Sequence, residues 1–345
     1  MFRFGRQAFR NALALAIPFL AAGSAQAQDV AAFYKGKQME FLIGGSPGSV
    51  YDQWARLLSK HLTKQIPGNP TFVVRSLPGA GNLVATNFLY AQSPRDGTVL
   101  GMVSRDMPTQ DVLGASTVKF KSMEFNWIGS PELTNRVCVA AERSKVRTAA
   151  DLFNLELVVG GTGAGSAVST TPTLLNQLLG TKMKLVEGYA GGPEVFLAME
   201  RGEVEGVCQT VSAIESTRPG WIAQGKIRVL FNLEKDPIAG SGAPSVQSLA
   251  KTDEQRQIIA FYNSNVELGR PVLTTPGVPT ERITALRQAF DATMKDKDFL
   301  DDAKKAGFVV NPLTGAAVAE VVKRIMTTPR DIIDKTVAMV GKLGE

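Results

Sequence analysis

The sequence predicts an α/β protein with two doubly wound domains. Short apolar runs typical of strands alternate with segments whose apolar residues recur at helical spacing, and this alternation occurs twice in the first two-thirds of the chain. The last third carries mostly helical patterns, so we expect it to return to the first domain and complete its sheet and helical cover. A chain of 345 residues is long enough for two domains with separate cores.

The first β-α-β-α-β unit covers residues 39–103. Apolar residues recur at helical spacing from Trp54 to Leu62, with Asp52 as the candidate N-cap, and a second helix follows from Leu83 to Phe88. Three apolar runs that end in turn signals are the predicted strands: Met39–Ile43, Thr71–Arg75 and Thr98–Val103.

The second unit covers residues 155–209. Its first helix is predicted to begin at Thr171-Pro172, with the threonine as cap and the proline in the first position, and to stop at Gly180. A shorter helix runs from Pro193 to Met199. The predicted strands are Leu155–Val159, Lys184–Val186 and Val204–Gln209.

The C-terminal third contains one predicted strand near Val266 to Leu268, followed by amphipathic helices. We therefore assign residues 28–133 plus 230–345 to domain 1 and residues 134–229 to domain 2. The chain is expected to cross between the domains near Pro131 to Arg136 and again near Arg228 to Leu233.

The first 27 residues have the pattern of a secretory signal peptide. Arg3, Arg6 and Arg10 precede a nearly uncharged run at 11–22, which is shorter than the roughly 20 apolar residues that span a bilayer. Ala25-Gln26-Ala27 then forms an A-x-A cleavage site. We expect cleavage after Ala27 and export of the mature chain; an uncleaved anchor is the alternative.

Composition excludes some classes of partner. Losing the three signal-peptide arginines lowers the formal net charge from +6 to +3, and the remaining charges are mixed along the chain. Basic blocks interleaved with aromatic residues are absent from the sequence, so we expect no nucleic-acid partner. Cofactor motifs are also lacking, and we predict no bound cofactor.

The two cysteines, Cys138 and Cys208, fit no zinc motif, and with His61 as the only histidine we predict no metal site. In an oxidising compartment the two cysteines can pair within the second domain, on an entering strand and a closing strand that lie side by side. Two separate buried thiols are the alternative.

Two loops rich in small residues stand where a ligand binds in open parallel sheets, between a strand and the following helix. They are residues 44–52 and 160–166. Glycine lets the backbone approach a ligand closely, and a helix N-terminus offers unpaired N–H donors. Two such loops facing each other would hold both ends of a dianion without a charged side chain; ordinary tight turns are the alternative.

Charged side chains add candidates to these loops. Arg105 and Arg270 each follow a predicted strand, and arginine suits bidentate recognition of a carboxylate. The alternative for each is an ion pair at the surface or the hinge. Asp52 is either a helix cap or a contact to a ligand hydroxyl or amine. His61 is assigned to core packing.

Enzyme interpretations are weaker. Gly44-Gly45-Ser46-Pro47-Gly48 matches the G-x-S-x-G pattern of a hydrolase nucleophile elbow. The only histidine, His61, lies fifteen residues on, two to three helical turns away, and points into an apolar stripe. The second loop resembles a dinucleotide fingerprint but has Ser166 in place of the third glycine.

Seven segments in one order resemble the receptors of tripartite tricarboxylate transporters, the Bug family. The resemblance covers almost the whole mature chain. The matching segments are S-P-G-S-V-Y-D-Q-W-A-R (Ser46–Arg56), P-G-A-G-N (Pro78–Asn82), S-P-R-D-G-T (Ser93–Thr98), G-Y-A-G-G-P-E-V (Gly188–Val195), R-G-E-V-E-G (Arg201–Gly206), E-L-G-R-P (Glu267–Pro271) and A-F-D-A-T-M-K-D (Ala289–Asp296).

This resemblance implies a type II periplasmic binding fold with Venus-flytrap closure. It also implies a periplasmic receptor, expected to be a monomer, that captures a small organic carboxylate for a large and a small membrane subunit. A periplasmic carboxylate sensor and a serine hydrolase with Ser46 are the alternatives. Tyr51 departs from the family pattern and either narrows the pocket or adds a phenol donor. The expected ligand-binding residues are Ser46, Pro47, Gly48, Ser49, Tyr51, Asp52, Arg105, Thr162, Gly163, Gly165, Ser166, Tyr189, Gly191, Gly192 and Arg270.

Overall fold

The computed structural model contains two mixed sheets, each covered by helices. It describes residues 1, 30–45, 47–114, 116–133, 135–162, 167–189, 192–233 and 241–340. The strands are β1 (Gln38–Ile43), β2 (Thr71–Ser76), β3 (Val99–Met102), β4 (Asn126–Ser130), β5 (Arg136–Ala141), β6 (Leu157–Gly160), β7 (Met183–Val186), β8 (Gly206–Thr210), β9 (Ile227–Asn232), β10 (Val272–Thr274) and β11 (Leu313–Thr314). The two-domain α/β architecture predicted from the sequence is confirmed.

Eleven α-helices have their bounds wholly within the described residues. They are α1 (Val50–Gln65), α2 (Leu83–Ala91), α3 (Met107–Leu113), α4 (Ala167–Leu179), α5 (Gly192–Arg201), α6 (Val211–Thr217), α7 (Asp253–Glu267), α8 (Thr280–Thr293), α9 (Lys297–Lys305), α10 (Gly315–Met326) and α11 (Arg330–Val340). None of the helices in the described ranges has both the length and the apolarity needed to cross a bilayer.

The first sheet has the strand order β11-β4-β10-β3-β1-β2. Strand β1 pairs in parallel with β2 and β3, whereas β10 runs antiparallel between β3 and β4. Strand β11 closes the sheet against β4, also antiparallel. The C-terminal third therefore does complete the first sheet, through two short strands.

Two of the predicted elements are misplaced. The strand expected near Val266 to Leu268 is wrong, because a capping box of Thr252 and Gln255 starts helix α7, which runs through to Glu267. The strand of this region is β10, which follows Arg270 instead of preceding it. Helix α4 begins at Ala167, and Thr171 donates its hydroxyl to the Ala167 carbonyl instead of capping the helix.

The second sheet has the strand order β7-β6-β8-β5-β9. Strand β6 is parallel to β7 and β8, and β5 lies antiparallel between β8 and β9. Strand β9 stays in this sheet as far as Asn232, three residues beyond the predicted end of domain 2 at 229. The second crossing of the chain therefore lies after Asn232.

The C-terminal helices cover both sheets, which corrects the expectation that they all return to domain 1. Helices α8 and α10 pack on β4, whereas α11 packs against α4 of the second domain, and α7 is hydrogen-bonded to α4. The hydroxyl of Tyr262 in α7 lies 2.7 Å and 2.8 Å from the hydroxyls of Thr170 and Thr171 in α4. Gln255 also donates to the Leu178 carbonyl at 2.7 Å. Helix α7 is thus anchored to the second domain.

Cys138 and Cys208 are joined by a disulfide between β5 and β8. They are directly opposite each other in the antiparallel register, and each is 1 % exposed. The entering strand does lie beside the strand that closes the second β-α-β unit. The bridge spans 70 residues of sequence and ties the two strands at the centre of the second sheet.

We expect this disulfide to form when the protein folds under oxidising conditions and to stabilise it by about 4 kcal/mol, because closing a loop of this length lowers the entropy of the unfolded chain. Alkylation without reductant followed by mass spectrometry should find neither cysteine modified. Reductant should lower the urea midpoint of the wild type but leave a Cys138→Ala/Cys208→Ala variant unchanged. Two alkylated cysteines in unreduced protein would contradict the bridge.

Candidate functional site

The strand directions bring the loop-bearing edges of both sheets together. Strand β4 ends at the same edge as β1 and β3, because β10 is antiparallel to both of its neighbours, β3 and β4. Strand β5 starts, and β9 ends, at the edge where β8 ends. The first crossing therefore joins the loop-bearing edges of the two sheets, and β9 ends at the same edge of the second sheet. We call the space between these two edges the cleft, and the first crossing, which contains Glu132, lies at its floor.

The loop after β1 is held by a buried carboxylate. Asp52 is 5 % exposed, and its Oδ2 accepts hydrogen bonds from the Gly48 N–H at 2.9 Å and the Arg56 Nε–H at 3.0 Å. The hydrogen bond from Arg56 is the main reason why the pKa of Asp52 lies below its ordinary value. Asp52 is not the N-cap that the sequence suggested: Ser49 caps α1, and its Oγ accepts the Asp52 N–H.

This arrangement leaves backbone donors at the start of α1. The N–H groups of Ser49, Val50 and Tyr51 have no protein partner within the described residues. They form the positive end of a 16-residue helix, which attracts anions. Gly48, with φ +81°, adopts the left-handed conformation that turns the chain into the helix. Pro47 precedes it in the same turn, and Ser46 lies outside the described residues.

The loop after β2 packs closely on this first loop. A Cβ on Gly44 would overlap the side chain of Asn82, and the hydroxyl of Ser76 donates to the Gly45 carbonyl at 2.6 Å. Asn82 itself has φ +82°. Asn82 belongs to the P-G-A-G-N segment, but its contact with the first loop was not predicted from the sequence; the glycines of both loops were the available signal.

The corresponding loop of the second domain is described only at its two ends. The Thr162 N–H donates to Ser169 Oγ at 3.0 Å, and the Ser169 hydroxyl donates to Glu187 Oε2 at 3.0 Å. A Cβ on Gly161 would lie 2.6 Å from Ser169 Oγ, so this approach requires glycine. Ser169 and Glu187 are site-edge residues that sequence reasoning missed. Gly163, Gly165 and Ser166 lie outside the described residues.

Tyr189 lies behind this second loop. Its N–H donates to the Gly161 carbonyl at 3.3 Å, and a Cβ on Gly160 would lie 3.4 Å from its ring. Burial raises the pKa of the Tyr189 phenol, which therefore stays protonated at neutral pH. Gly192 is the first residue of α5, and Gly191 lies outside the described residues.

The two candidate arginines differ in their surroundings. Arg105 follows β3, is half-buried and forms no ion pair within the described part of the chain. Arg270 Nε lies 2.8 Å from Glu132 Oε2, so the hinge ion pair is what the structure shows for this residue. The guanidinium carbon of Arg270 also lies 5.1 Å from the centre of the Tyr51 ring. Tyr51 thereby connects the first loop to the floor of the cleft.

His61 packs in the core, as predicted. It is 2 % exposed, its ring meets Phe299 edge-on at 5.5 Å, and Nε2 lies 3.1 Å from Asp302 Oδ2 on α9. Its position eleven residues into α1 places it about 16 Å along the helix axis from the first loop. The histidine is therefore far from the G-x-S-x-G turn and oriented by a different helix.

Solved structures share this architecture. A TctC solute-binding protein from Polaromonas has a TM-score of 0.69 at 17 % identity, covering 88 % of this chain and 99 % of that chain. The periplasmic binding protein BugD gives 0.56 at 18 %, covering 88 % and 98 %. MatC from Rhodopseudomonas palustris with bound malate gives 0.55 at 16 %, covering 86 % and 99 %.

The sequence matches no protein-family model and no curated protein. The structural likenesses establish that the chain has the two-domain fold of periplasmic solute-binding proteins. That fold was the one implied by the sequence resemblance.

We expect Asp52→Asn to destabilise the protein by about 2 kcal/mol at pH 7, because the buried loop loses charge-assisted hydrogen bonds. Since the folded pKa of Asp52 lies below the unfolded value, this stabilisation is present above about pH 4 and is lost as pH falls through the folded pKa. Urea unfolding at pH 7 and pH 3 measures both.

The matched control is Asp331→Asn in the exposed first turn of α11, which should change stability by less than about 0.5 kcal/mol. Equal stability of Asp52→Asn and wild type at pH 7 would show that the carboxylate does not hold the loop.

Proposed function

We propose that this protein is a periplasmic solute-binding receptor of the Bug type that captures a small organic carboxylate between its two domains. It is exported by cleavage after Ala27 and hands the carboxylate to the large and small membrane subunits of a tripartite transporter. The observation that carries the proposal is the row of unpartnered N–H groups at Ser49, Val50 and Tyr51, at the sheet edge that faces the second domain.

The chemistry of the first loop favours an anion. Three successive backbone donors at a helix N-terminus bind a carboxylate without a counter-charge that would need desolvation. The buried Asp52 carboxylate accepts the Gly48 N–H, and the N–H groups of Ser49, Val50 and Tyr51 stay available to a ligand. We propose that the second-domain loop, including Gly163, Gly165 and Ser166, meets the other end of the ligand.

The comparison with solved structures supports the same class of ligand, since MatC, which has this fold, was solved with malate. A binding function without catalysis is further supported by the placement of His61 against Asp302, on a helix face remote from the first loop. A hydrolase would need a base beside the nucleophile.

Isothermal calorimetry of the mature protein against mono-, di- and tricarboxylates, aromatic acids and amino acids tests the proposal. We expect at least one organic acid to bind with a Kd in the micromolar range or tighter, and the same acid to raise the melting temperature by mass action. Neutral sugars serve as the comparison. Absence of heat and of thermal shift across the acid panel would overturn the proposal.

Gly48→Val should weaken binding of the best acid at least thirtyfold, corresponding to about 2 kcal/mol. Gly48 has open space around it, so the new side chain would project toward the ligand, and φ +81° would force the loop to shift.

Gly36→Val is the matched control, because Gly36 has φ +70°, equally open surroundings and a place before β1, at the opposite end of the sheet. It should lower stability comparably and leave affinity unchanged. Equal affinities of the two variants would show that the loop does not meet the ligand.

A further inference from the structure

We propose that Arg270 is a specificity-determining residue that makes the first-domain side of the cleft select a carboxylate over an uncharged carboxamide. Its guanidinium offers the ligand carboxylate the edge that its own partners leave open. The inference rests on the proposed function and adds to it a side chain that would discriminate among ligands.

Arg270 lies at the floor of the cleft because of the direction of β10. This strand is antiparallel to β3 and β4, and its first residue, Val272, is opposite Met102 and Gly129, at the carboxyl ends of those strands. Arg270, two residues earlier, therefore extends beyond those carboxyl ends. The first crossing segment, which contains Glu132, runs beside it.

The backbone at this point is fixed by close contact. Gly269 has φ +59°, and a Cβ there would overlap the carbonyl oxygen of Glu132, so only glycine fits. The Arg270 N–H donates to Ser130 Oγ at 2.9 Å, and the Ser130 hydroxyl donates to the Glu132 carbonyl at 3.0 Å. The start of the arginine side chain is thus held to the crossing segment on two sides.

The Arg270 guanidinium is held in place, but most of its N–H donors have no hydrogen-bond partner in the described part of the chain. Its Nε–H donates to Glu132 Oε2 at 2.8 Å, and its plane is supported by the Tyr51 ring at 5.1 Å. Of its five N–H donors, the four on Nη1 and Nη2 have no partner within the described residues. The side chain is 21 % exposed, so these donors remain reachable in a partly desolvated place.

Hydrogen-bond complementarity favours a carboxylate as the partner of these donors, because both of its oxygens accept and neither donates. The Glu132 side chain is only 9 % exposed and needs a cation, which Arg270 supplies. A planar guanidinium can bond two carboxylates on different edges, which a lysine ammonium does not do with fixed geometry. A carboxylate at the start of α1 would accept hydrogen bonds from both the loop N–H groups and the Nη groups of Arg270. A carboxamide would place its own N–H donors opposite these donors.

The test uses calorimetry with malate and adipate, each paired with its monoamide, on wild type and on Arg270→Gln and Arg270→Lys. For a dicarboxylate that binds wild type, we expect Arg270→Gln to raise Kd at least tenfold. The preference for dicarboxylate over monoamide should shrink by a similar factor. Arg270→Lys keeps the charge for Glu132 and should raise Kd about threefold to tenfold, because the fork is lost.

The matched control is Arg282→Gln. Arg282 also stacks on an aromatic ring, Phe33, but it donates to the Asp96 carbonyl, before β3 and at the opposite end of the sheet. It should leave both Kd and the preference unchanged.

The possible outcomes distinguish a failure of the role of Arg270 from a failure of the proposed receptor function. If wild type binds a dicarboxylate and both Arg270 variants retain its affinity and its preference over the monoamide, the role of Arg270 is overturned while the receptor function stands. If wild type binds no organic acid of the wider panel, the proposed function itself fails. Should Arg270→Gln not fold, Arg270→Lys decides the question alone.

Discussion

The site depends on two antiparallel strands, β10 in the first sheet and β5 in the second. In an all-parallel sheet, every strand is followed by a crossover connection that leads back to the opposite edge, where the next strand begins. Because β10 is antiparallel to its neighbours, the segment that enters it, with Gly269 and Arg270, arrives at the edge where β1 and β3 end. Because β5 is antiparallel to β8, the first crossing enters the second sheet at its loop edge. The strand-to-helix loops, the first crossing and Arg270 therefore lie at this same edge without long connecting segments.

At this edge, the buried carboxylates are balanced by neighbouring N–H groups and cations and not by the net charge of the protein. Asp52 is ionised and buried, yet its charge is met by the Gly48 N–H and by Arg56. Glu132 is paired with Arg270, and each of the two ion pairs is neutral overall. An anion placed at this edge would therefore meet oriented N–H groups instead of a positive field, so its recognition would depend on geometry and less on ionic strength.

The sequence predicts the framework of the molecule well, because period-two and helical patterns are local signals. The loop after β1 and its glycines were located correctly, and so was the pairing of the strands that carry Cys138 and Cys208. The details that the sequence did not predict depend on which of several neighbouring residues takes a given role. Ser49 and Asp52 are both good caps, and only the burial of Asp52 decides that Ser49 caps the helix.

The strand prediction near Val266 was wrong for a related reason. Val266 and Leu268, two apolar residues separated by Glu267, fit the end of a helix as well as a strand, and the deciding capping box stands a full helix earlier, at Thr252. The partner of Arg270 could not be predicted either, because Glu132 is 138 residues away in sequence. Long-range pairs of this kind appear only once the order and direction of the strands are known.

Helix α7 has contacts with both domains. Tyr262 and Gln255 attach α7 to α4 of the second domain. Yet α7 also reaches the first domain: Asn265 donates to Asp106 Oδ1 at 2.6 Å, and Glu267 pairs with Arg324 of α10.

A cavity of about 970 Å³ lies between α7 and α10 and is bordered by Leu133 of the first crossing and by Leu233, which follows β9. The two helices are therefore not packed against each other along their whole length, and the ion pair of Glu267 with Arg324 bridges them at the C-terminal end of α7. A partly exposed ion pair contributes little to stability, so it holds α7 less firmly than the buried hydrogen bonds of Tyr262 with α4 do. Arg270 lies three residues after Glu267 and is held to Glu132 of the first crossing, so the guanidinium stands next to the weaker of the two attachments of α7.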